Sequence, residues 1–486
     1  MSFENDQYKL ALGDLRKFVE IMQKQGELVR VPEADPHLEI GALYEMSQEH
    51  LYPPVLMFES MKGCDPRHRI LCNVRTTKLM VGDMNLQALI DYRRKPKKGH
   101  SEPIDPRVVE TGPVFENHVE GDAVNCRDFP APRWHEGDGG DYIGTECLVI
   151  MRDPDSEWTN LGTYRVMIQD EKTLSVFIEP GKHGDVIRRK YWARGEACPI
   201  AVCVGQSPIL GMVASTAVKS GVCEYAVAGG RLGRPVEVVE GRLTGLQLPA
   251  DAELVFEGYM PPPHEAQMKE GPFGEWPGYY SHDGMEPIVR VGAISHRSDL
   301  IVVGQPPTKP NYVGRQVKLP SLAALWDALE SAGVPEVRGV WNLQGGGYRF
   351  IQVVAIKQLH PGHAKMAGLV AAGWGGSYMN RMTIIVDEDI DVTNHAEVMW
   401  AMATRWDPKT QTDVIDGCWT GYIDPRLSPE KRENGDVTMS RVIIYAVRPF
   451  HWKDQFPKPN EVAPDLAADV RAKWKDRLAF LRTKQH

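Results

Sequence analysis

Between about residues 130 and 310 the chain breaks into short runs that favour strands, and this stretch most limits the folds open to it. Cys147 to Met151, Tyr164 to Ile168, Thr173 to Ile178 and Ile200 to Val204 are rich in β-branched and aliphatic residues. Val236 to Val239, Glu253 to Gly258 and Ile288 to Ala293 continue the series. Gly and Pro separate the runs at intervals typical of a barrel or sandwich, with one helix near Asp185 to Ala193. The apolar stretch Pro199 to Val218 is broken by Gln206, Ser207 and Pro208, so it reads as two buried strands and not as a membrane span.

The flanks have a different texture. Leu15, Phe18, Val19 and Met22 share one helical face, with Asp14 placed to cap the start and Gly26 to close the end. A strand, Glu27 to Val31, follows. The basic run Arg93 to Lys98 lacks glycines or a helix start beside it, which favours a solvated loop over a phosphate grip. After Pro320, Ser321 can cap a helix carrying Leu322, Leu325, Trp326 and Leu329 to Gly333. Strands Arg349 to Ile356, Thr383 to Val386 and Arg441 to Val447 then alternate with helices through Lys365 to Ala372 and Glu397 to Thr404. The tail carries one stripe, Leu466, Val470, Trp474, Leu478 and Leu481, which needs a docking surface such as a second subunit.

Composition removes several classes of function. The 486 residues carry 56 Lys and Arg against 65 Asp and Glu, a formal charge of −9. That balance argues against nucleic acid or an anionic membrane as partner. The 8 cysteines form no CxxC or CxxxH pair, so structural zinc and a disulfide framework are both disfavoured and a reducing cytoplasm fits. The polar start, Met1 to Leu10, has no apolar signal core.

The segment richest in chemistry is Glu270-Gly-Pro-Phe-Gly-Glu275, followed by Trp276, Tyr279 and Tyr280. Two carboxylates flank a turn that cannot be helical. Folded toward one cavity, they would raise at least one pKa and prepare a proton donor. Spacing alone favours a plainer account, a surface turn with two solvated glutamates. In Thr159-Asn-Leu-Gly-Thr-Tyr-Arg165, Asn160 offers an oxygen ligand and Arg165 a bidentate fork for a carboxylate. In a regular strand these two would face opposite ways, so either a bulge or turn intervenes or they serve different subsites. His183 begins a helix after Glu179-Pro-Gly-Lys182, and Glu224 sits in an apolar stretch where an unpaired carboxylate is costly. Asn160, His183 and Glu224 would suit Mn²⁺ or Mg²⁺ better than Zn²⁺. A satisfied core histidine and a buried Glu–Arg pair explain the same residues.

In order, Asn160, Arg165, His183, Glu224 and Glu270-Gly-Pro-Phe-Gly-Glu275 resemble the UbiD-type family of prenylated-flavin-dependent decarboxylases. The resemblance covers nearly the whole chain. Asp14-Leu-Arg-Lys-Phe-Val with Gly26-Glu-Leu-Val is similar to the family's first helix and strand. His135-Glu-Gly-Asp-Gly-Gly-Asp-Tyr-Ile143 is similar to its glycine-rich opening of the middle domain. Val386-Asp-Glu-Asp-Ile-Asp391 and Val398-Met-Trp-Ala-Met-Ala-Thr-Arg405 are similar to its C-terminal signature.

What the resemblance implies is an α/β and α+β multidomain fold whose central split β-barrel holds the flavin. It divides the chain into an N-terminal α/β region (1–128), the barrel (129–318), a linker helix (319–335), a C-terminal α/β oligomerisation domain (336–450) and a tail helix (451–486). It further implies Asn160, His183 and Glu224 as ligands of Mn²⁺ (or Mg²⁺) bridging to the phosphate of prenylated FMN, with K⁺ near Ser215. Thr163, Tyr164, Arg165 and Lys182 would also line the cofactor, and Arg381 stands where relatives often carry a lysine. Arg165, Glu270 and Glu275 would be catalytic: Arg165 orients the carboxylate, Glu270 holds Arg165, and Glu275 delivers a proton after CO₂ leaves a covalent cofactor–substrate adduct.

The activity so implied is a reversible decarboxylation, by a carboxy-lyase, of an aromatic or heteroaromatic acid. An α,β-unsaturated acid is the alternative within the family. The partners implied are the small acid and CO₂, a flavin prenyltransferase supplying the cofactor, and copies of the same chain in a homodimer or homohexamer. Closure of the middle domain on the C-terminal one would keep the site dry. A metal-dependent hydrolase using the Asn/His/Glu set, and a non-catalytic flavin binder, are the competing classes.

Overall fold

The first helix forms where the apolar face predicts it. In the computed structural model it spans Leu15–Lys24, the Asp14 carboxylate accepts from the Lys17 N–H at 2.9 Å, and Gly26 leaves it at φ +73°. A preceding helix, Asp6–Gly13, was not foreseen. The structure describes residues 6–50, 52–74, 85–94, 102–216, 218–281, 283–309, 319–474 and 476–478. They fall into two compact units.

The first unit takes in the described residues of Met1–Met84, Ile90–Val317 and Tyr422–Gly435. Its smaller α/β part is a sheet in the order Leu28–Pro32, Val55–Glu59, Arg69–Cys72 and Ile301–Val303. The last strand pairs parallel with Arg69–Cys72 although it lies far along the chain. The larger part is a 10-stranded antiparallel sheet that curls into a half-barrel. Along it run Asp141–Gly144, Arg165–Ile168, Thr173–Phe177, Gly284–His296, Leu254–Met260, Cys198–Val204, Cys147–Arg152 and Thr159–Gly162. The long strand Gly284–His296 is the spine, since Gln267–Glu270 and Asn117–Glu120 pair with it as well. A register shift between Glu257 and Gly258 bends it. At Gly258 an added Cβ would stand 2.2 Å from the Arg290 carbonyl oxygen, so only glycine fits.

The runs Cys147 to Met151 and Ile200 to Val204 are continuously apolar because both faces are covered. Val149, Ile200 and Val202 join one core with Phe256 and Trp134, while Leu148, Ile150 and Cys203 join another with Phe18 and Tyr225. The second core contains helices that differ from expectation. Pro199 to Val218 is one strand followed by a helix, Pro208–Ala214, and a further helix spans Glu224–Leu232. Three helices therefore interrupt the strands, not one. Both extra helices are short and buried nearly all round, so no polar face marks a helical period.

The second unit takes in the described residues of Asn85–Leu89, Lys318–Gly421 and Asp436–His486. Its sheet runs Val337–Asn342, Ile351–Ile356, Met382–Asp387, Thr438–Ala446 and Thr412–Trp419, parallel among the middle three strands and antiparallel at both edges. Helices His363–Gly373 and His395–Arg405 follow the expected alternation. The helix placed after Pro320 spans Leu319–Ser331, so Ser321 lies inside it and is no cap. Proline is tolerated in a first helical turn, where its missing N–H would have no partner. The tail helix spans Pro464–Trp474, with Leu466 and Val470 exposed; Leu481 lies outside the described residues. Of the basic run, Arg93 and Arg94 end a helix, Leu86–Arg94, and 95–98 lie outside the described residues.

Candidate active site

Two strand ends and one turn bring Arg165, Glu270 and Glu275 together. Arg165 opens its strand opposite Phe177 of the next one, and the guanidinium lies over that ring at 4.3 Å. Glu270 ends the strand Gln267–Glu270. Glu275 is held by its backbone: its N–H donates to the Tyr279 carbonyl at 2.9 Å, and its carbonyl accepts from Gly278 N–H at 2.8 Å. The surface-turn account of these glutamates does not hold, because Arg165 binds both.

Arg165 Nε donates to Glu270 Oε1 at 2.8 Å and Nη2 to Oε2 at 2.5 Å. Nη1 donates to Glu275 Oε1 at 3.0 Å and to Ser281 Oγ at 2.8 Å. The Glu270 side chain is 1% exposed and that of Glu275 18%. Burial pushes the Glu275 carboxyl above the usual range, opposed by Arg165 and reinforced by the nearby Glu179 and Glu270. Two carboxylates and one guanidinium leave a surplus negative charge in a poorly solvated place, and a proton on Glu275 removes it. Among the described residues four of the five guanidinium N–H groups are engaged, which leaves one on Nη2 to meet a ligand.

The turn carrying Glu275 is clamped by the glycine-rich segment. Gly139 N–H donates to the Pro272 carbonyl at 2.7 Å, and Gly137 N–H donates to Tyr280 Oη at 3.1 Å. An added Cβ at Gly139 would stand 2.0 Å from the Gly271 carbonyl oxygen. Gly139→Ala is therefore expected to displace the turn, costing about 1–3 kcal/mol and most of the activity. Thermal melting and turnover measure both, and a variant as stable and active as the parent would show that the clamp is slack.

The metal-candidate residues gather at the other edge of the same sheet. Asn160 lies in the strand Thr159–Gly162, and the helix Glu224–Leu232 packs on that strand. Asn160 Nδ2 donates to Glu224 Oε1 at 3.0 Å, and Leu161 N–H donates to Oε2 at 2.9 Å. No arginine completes the Glu–Arg pair of the plainer account among these contacts. Burial raises the Glu224 carboxyl to about 7, while its two hydrogen bonds oppose the rise. His183 opens the helix His183–Ala193, which also packs on Thr159–Gly162, and its ring meets Trp158 edge-on at 5.0 Å. Trp158 Nε1 in turn donates to the Val222 carbonyl at 3.1 Å, tying the two helix starts to one segment. Burial lowers the His183 pKa and the adjacent Lys182 lowers it further, so the imidazole is kept neutral as a ligand requires.

The donor set shows a deficit of the kind a ligand fills. Among the described residues Asn160 Oδ1 and Thr163 Oγ1 are buried without a hydrogen-bond partner. Asn160, His183 and Glu224 thus fit a hard cation of the Mn²⁺ or Mg²⁺ kind. Among the described residues no three His, Cys, Asp or Glu side chains form a metal cluster by themselves, so the candidate set depends on asparagine. A cavity of about 260 Å³ lies alongside, lined by Thr159 and Cys223, neighbours of Asn160 and Glu224, with Asp105, Glu157 and Gln247.

The remaining predicted residues are placed as follows. Tyr164 Oη accepts from Gly184 N–H at 3.2 Å, and Lys182 Nζ lies 3.6 Å from Glu179. Ser215 follows the helix Pro208–Ala214, which packs on Glu224–Leu232, and its Oγ donates to the Met212 carbonyl at 3.0 Å. Arg381 belongs to the second unit, where its guanidinium lies over Phe350 at 5.2 Å. The opposed facing of Asn160 and Arg165 resolves as a break: one strand ends at Gly162 and another begins at Arg165. Sequence reasoning assigned no role to Tyr142 or Ser281, although Tyr142 lies within the glycine-rich segment.

Three family models match along the chain. They are the N-terminal domain of 3-octaprenyl-4-hydroxybenzoate carboxy-lyase (residues 19–81), its Rift-related domain (107–310) and its C-terminal domain (316–446). A pyrrole-2-carboxylic acid decarboxylase of Pseudomonas aeruginosa is 32% identical, over 91% of this chain and 92% of its own. A phenolic acid decarboxylase of Sedimentibacter hydroxybenzoicus is 29% identical, over 97% of this chain and 98% of its own. The UbiD-class enzyme HmfF of Pelotomaculum thermopropionicum, solved with FMN, superposes with a TM-score of 0.79 at 26% identity, covering 96% of this chain and 100% of its own. An evolved dimeric form of that enzyme, solved with prFMN, gives a TM-score of 0.76 at 26% identity, covering 96% of this chain and 100% of its own.

Proposed function

The chain belongs to the UbiD family of carboxy-lyases, and from that premise we propose that it is a prenylated-FMN-dependent, reversible decarboxylase of an aromatic or heteroaromatic carboxylic acid. One observation carries the reading: a buried arginine fork holds two glutamates, one fully ion-paired and the other inclined to keep a proton. The relatives acting on pyrrole-2-carboxylic and phenolic acids favour an aromatic substrate over an α,β-unsaturated one.

Asn160, His183 and Glu224 would hold Mn²⁺ or Mg²⁺, and through it the flavin phosphate, with Thr163, Tyr164 and Lys182 lining the site. K⁺ would sit near Ser215. The prenylated flavin, when bound, supplies a covalent hold on the substrate that accepts the electron pair left as CO₂ departs.

This chain's own residues do the rest. The unengaged Nη2–H of Arg165 orients the substrate carboxylate. Glu270 keeps the guanidinium in one orientation. Glu275 carries the proton that replaces CO₂ on carbon, so that R–COO⁻ and H⁺ become R–H and CO₂. Its raised proton affinity lets it hold that proton to higher pH than an ordinary glutamate. Because every step reverses, the direction follows the CO₂ concentration.

Co-expression with a flavin prenyltransferase tests the proposal. The purified protein is expected to carry a visible chromophore and the mass of prenylated FMN, and to release CO₂ from an aromatic or heteroaromatic acid. A colourless protein that, with metal alone, splits a substrate bond with water and releases no CO₂ would establish a hydrolase instead. Flavin retention without CO₂ release from any acid would establish a binder.

A further inference from the structure

We propose that Tyr142 is a positioning residue that decides which of the two carboxylates around Arg165 carries the exchangeable proton. Tyr142 lies in the edge strand Asp141–Gly144, next to Arg165–Ile168, and is fully buried. Its Oη donates to Glu270 Oε1 at 2.8 Å. Its ring packs on Phe273 of the turn that joins the two glutamates, with centroids 4.1 Å apart. Burial keeps the phenol protonated, so it acts only as a donor toward Glu270.

The consequence is an asymmetry between two residues of the same type. Among the described residues Glu270 accepts three side-chain hydrogen bonds, two from Arg165 and one from Tyr142, and Glu275 accepts one, from Arg165. Hydrogen bonds to the ionised form hold a carboxylate ionised, so the proton settles on Glu275, the more exposed of the pair. Of the other charged or titratable groups near the pair, Glu179, after the strand Thr173–Phe177, raises Glu275 through its charge and adds to this bias without a hydrogen bond to either carboxylate among the described contacts. Glu286, on the spine strand, is itself pushed to about 7 by burial and then by Glu270, and feels Arg165 and Arg188. Asp138 acts on Tyr142 through its charge. Ser281 Oγ accepts from Arg165 Nη1 at 2.8 Å and from the Phe273 N–H at 3.2 Å.

Three protonation states matter: proton on Glu275, proton on Glu270, and no proton. Removing the phenol hydroxyl destabilises the first and third equally and leaves the second unchanged. Tyr142→Phe therefore moves the proton toward Glu270 and raises the pH at which the pair finally loses it. The proposal rests on Glu275 as proton donor. Decarboxylation absent from the wild-type holoprotein would defeat that reading, whereas an active wild type with an unmoved Tyr142→Phe profile would defeat only this one.

The expected result for Tyr142→Phe is a fall in kcat of about tenfold, the scale set by one hydrogen bond to a charged group, with KM nearly unchanged. The alkaline limb of the pH–rate profile should shift upward at the same time. A limb that stays or moves down, whatever kcat does, would overturn the proposal, since loosened packing predicts no upward shift. Infrared spectra of the cofactor-free protein give a second readout. The protonated-carboxyl band that Glu275→Gln abolishes in the parent should change frequency in Tyr142→Phe, where the proton moves to Glu270, a carboxyl held by both Nε and Nη2 of Arg165. A band left at the parent's frequency by Tyr142→Phe would overturn the proposal. If Tyr142→Phe fails to fold, difluorotyrosine at 142 keeps the shape and strengthens the donor; it stabilises the first and third states equally, so the alkaline limb should stay or move down, and an upward shift counts against the proposal.

Discussion

Glu275→Gln is expected to bind the flavin as the parent does and to lose about 10²–10⁴-fold in turnover and in CO₂ exchange, the range contributed by a positioned general acid. The amide keeps an oxygen to accept from Arg165 Nη1 but cannot deliver a proton to carbon. The pH dependence has a definite sign. Burial raises the Glu275 pKa above that of an ordinary glutamate, so the acid keeps its proton to higher pH and activity falls as pH rises through the raised value. In Glu275→Gln that alkaline limb should disappear from whatever rate remains. Rates of CO₂ release across pH, with flavin content checked by absorbance, measure both effects. Full activity in the variant would remove Glu275 from the role of proton donor.

Arg165→Met should be the most damaging single change to the fold of the first unit. Among the described residues it leaves Glu270, 1% exposed, with only the phenol of Tyr142, and Glu275 with no ion-pair partner. Stranding one partner of a buried ion pair typically costs about 3–5 kcal/mol. The variant should also be inactive, since no other group in the triad can grip the substrate carboxylate. Without the guanidinium the buried carboxylates bind protons more tightly folded than unfolded. Stability so linked is gained as pH falls and lost as pH rises. The melting-temperature gap between parent and variant should therefore narrow from pH 8 to pH 5. A gap that stays constant would mean that the guanidinium contributes through its packing on Phe177 rather than through charge. Lysine would rescue poorly, because one ammonium cannot reproduce the fork that reaches both carboxylates.

Much of the site could be read in the sequence, yet not by local rules alone. Glu224 was conspicuous as an acid in an apolar stretch, and its burial follows. The order Asn160, Arg165, His183, Glu224, Glu270 and Glu275 marked residues lying in five separate segments. Spacing by itself pointed to solvated glutamates at 270 and 275, because nothing local reveals that Arg165 will sit between them. That depends on strand order, in which Asp141–Gly144, Arg165–Ile168 and Thr173–Phe177 lie side by side. Tyr142 and Ser281 were illegible for the same reason: a tyrosine in a glycine-rich segment and a serine after a turn are ordinary until their partners are known. The helices Pro208–Ala214 and Glu224–Leu232 escaped notice because burial on most sides removes the polar face by which a helix is recognised.

The strand Ile301–Val303 completes the sheet begun by Leu28–Pro32, parallel to Arg69–Cys72. Some 230 residues separate those two partners. At roughly 5–20 residues per second, a ribosome takes about 10–45 s to deliver the missing strand. Through that interval the growing N-terminal sheet presents an open edge at Arg69–Cys72, with apolar Ile70 and Leu71. A gene cut anywhere between these strands should therefore yield an aggregating fragment, and the nascent chain has reason to depend on chaperones until Ile301–Val303 arrives.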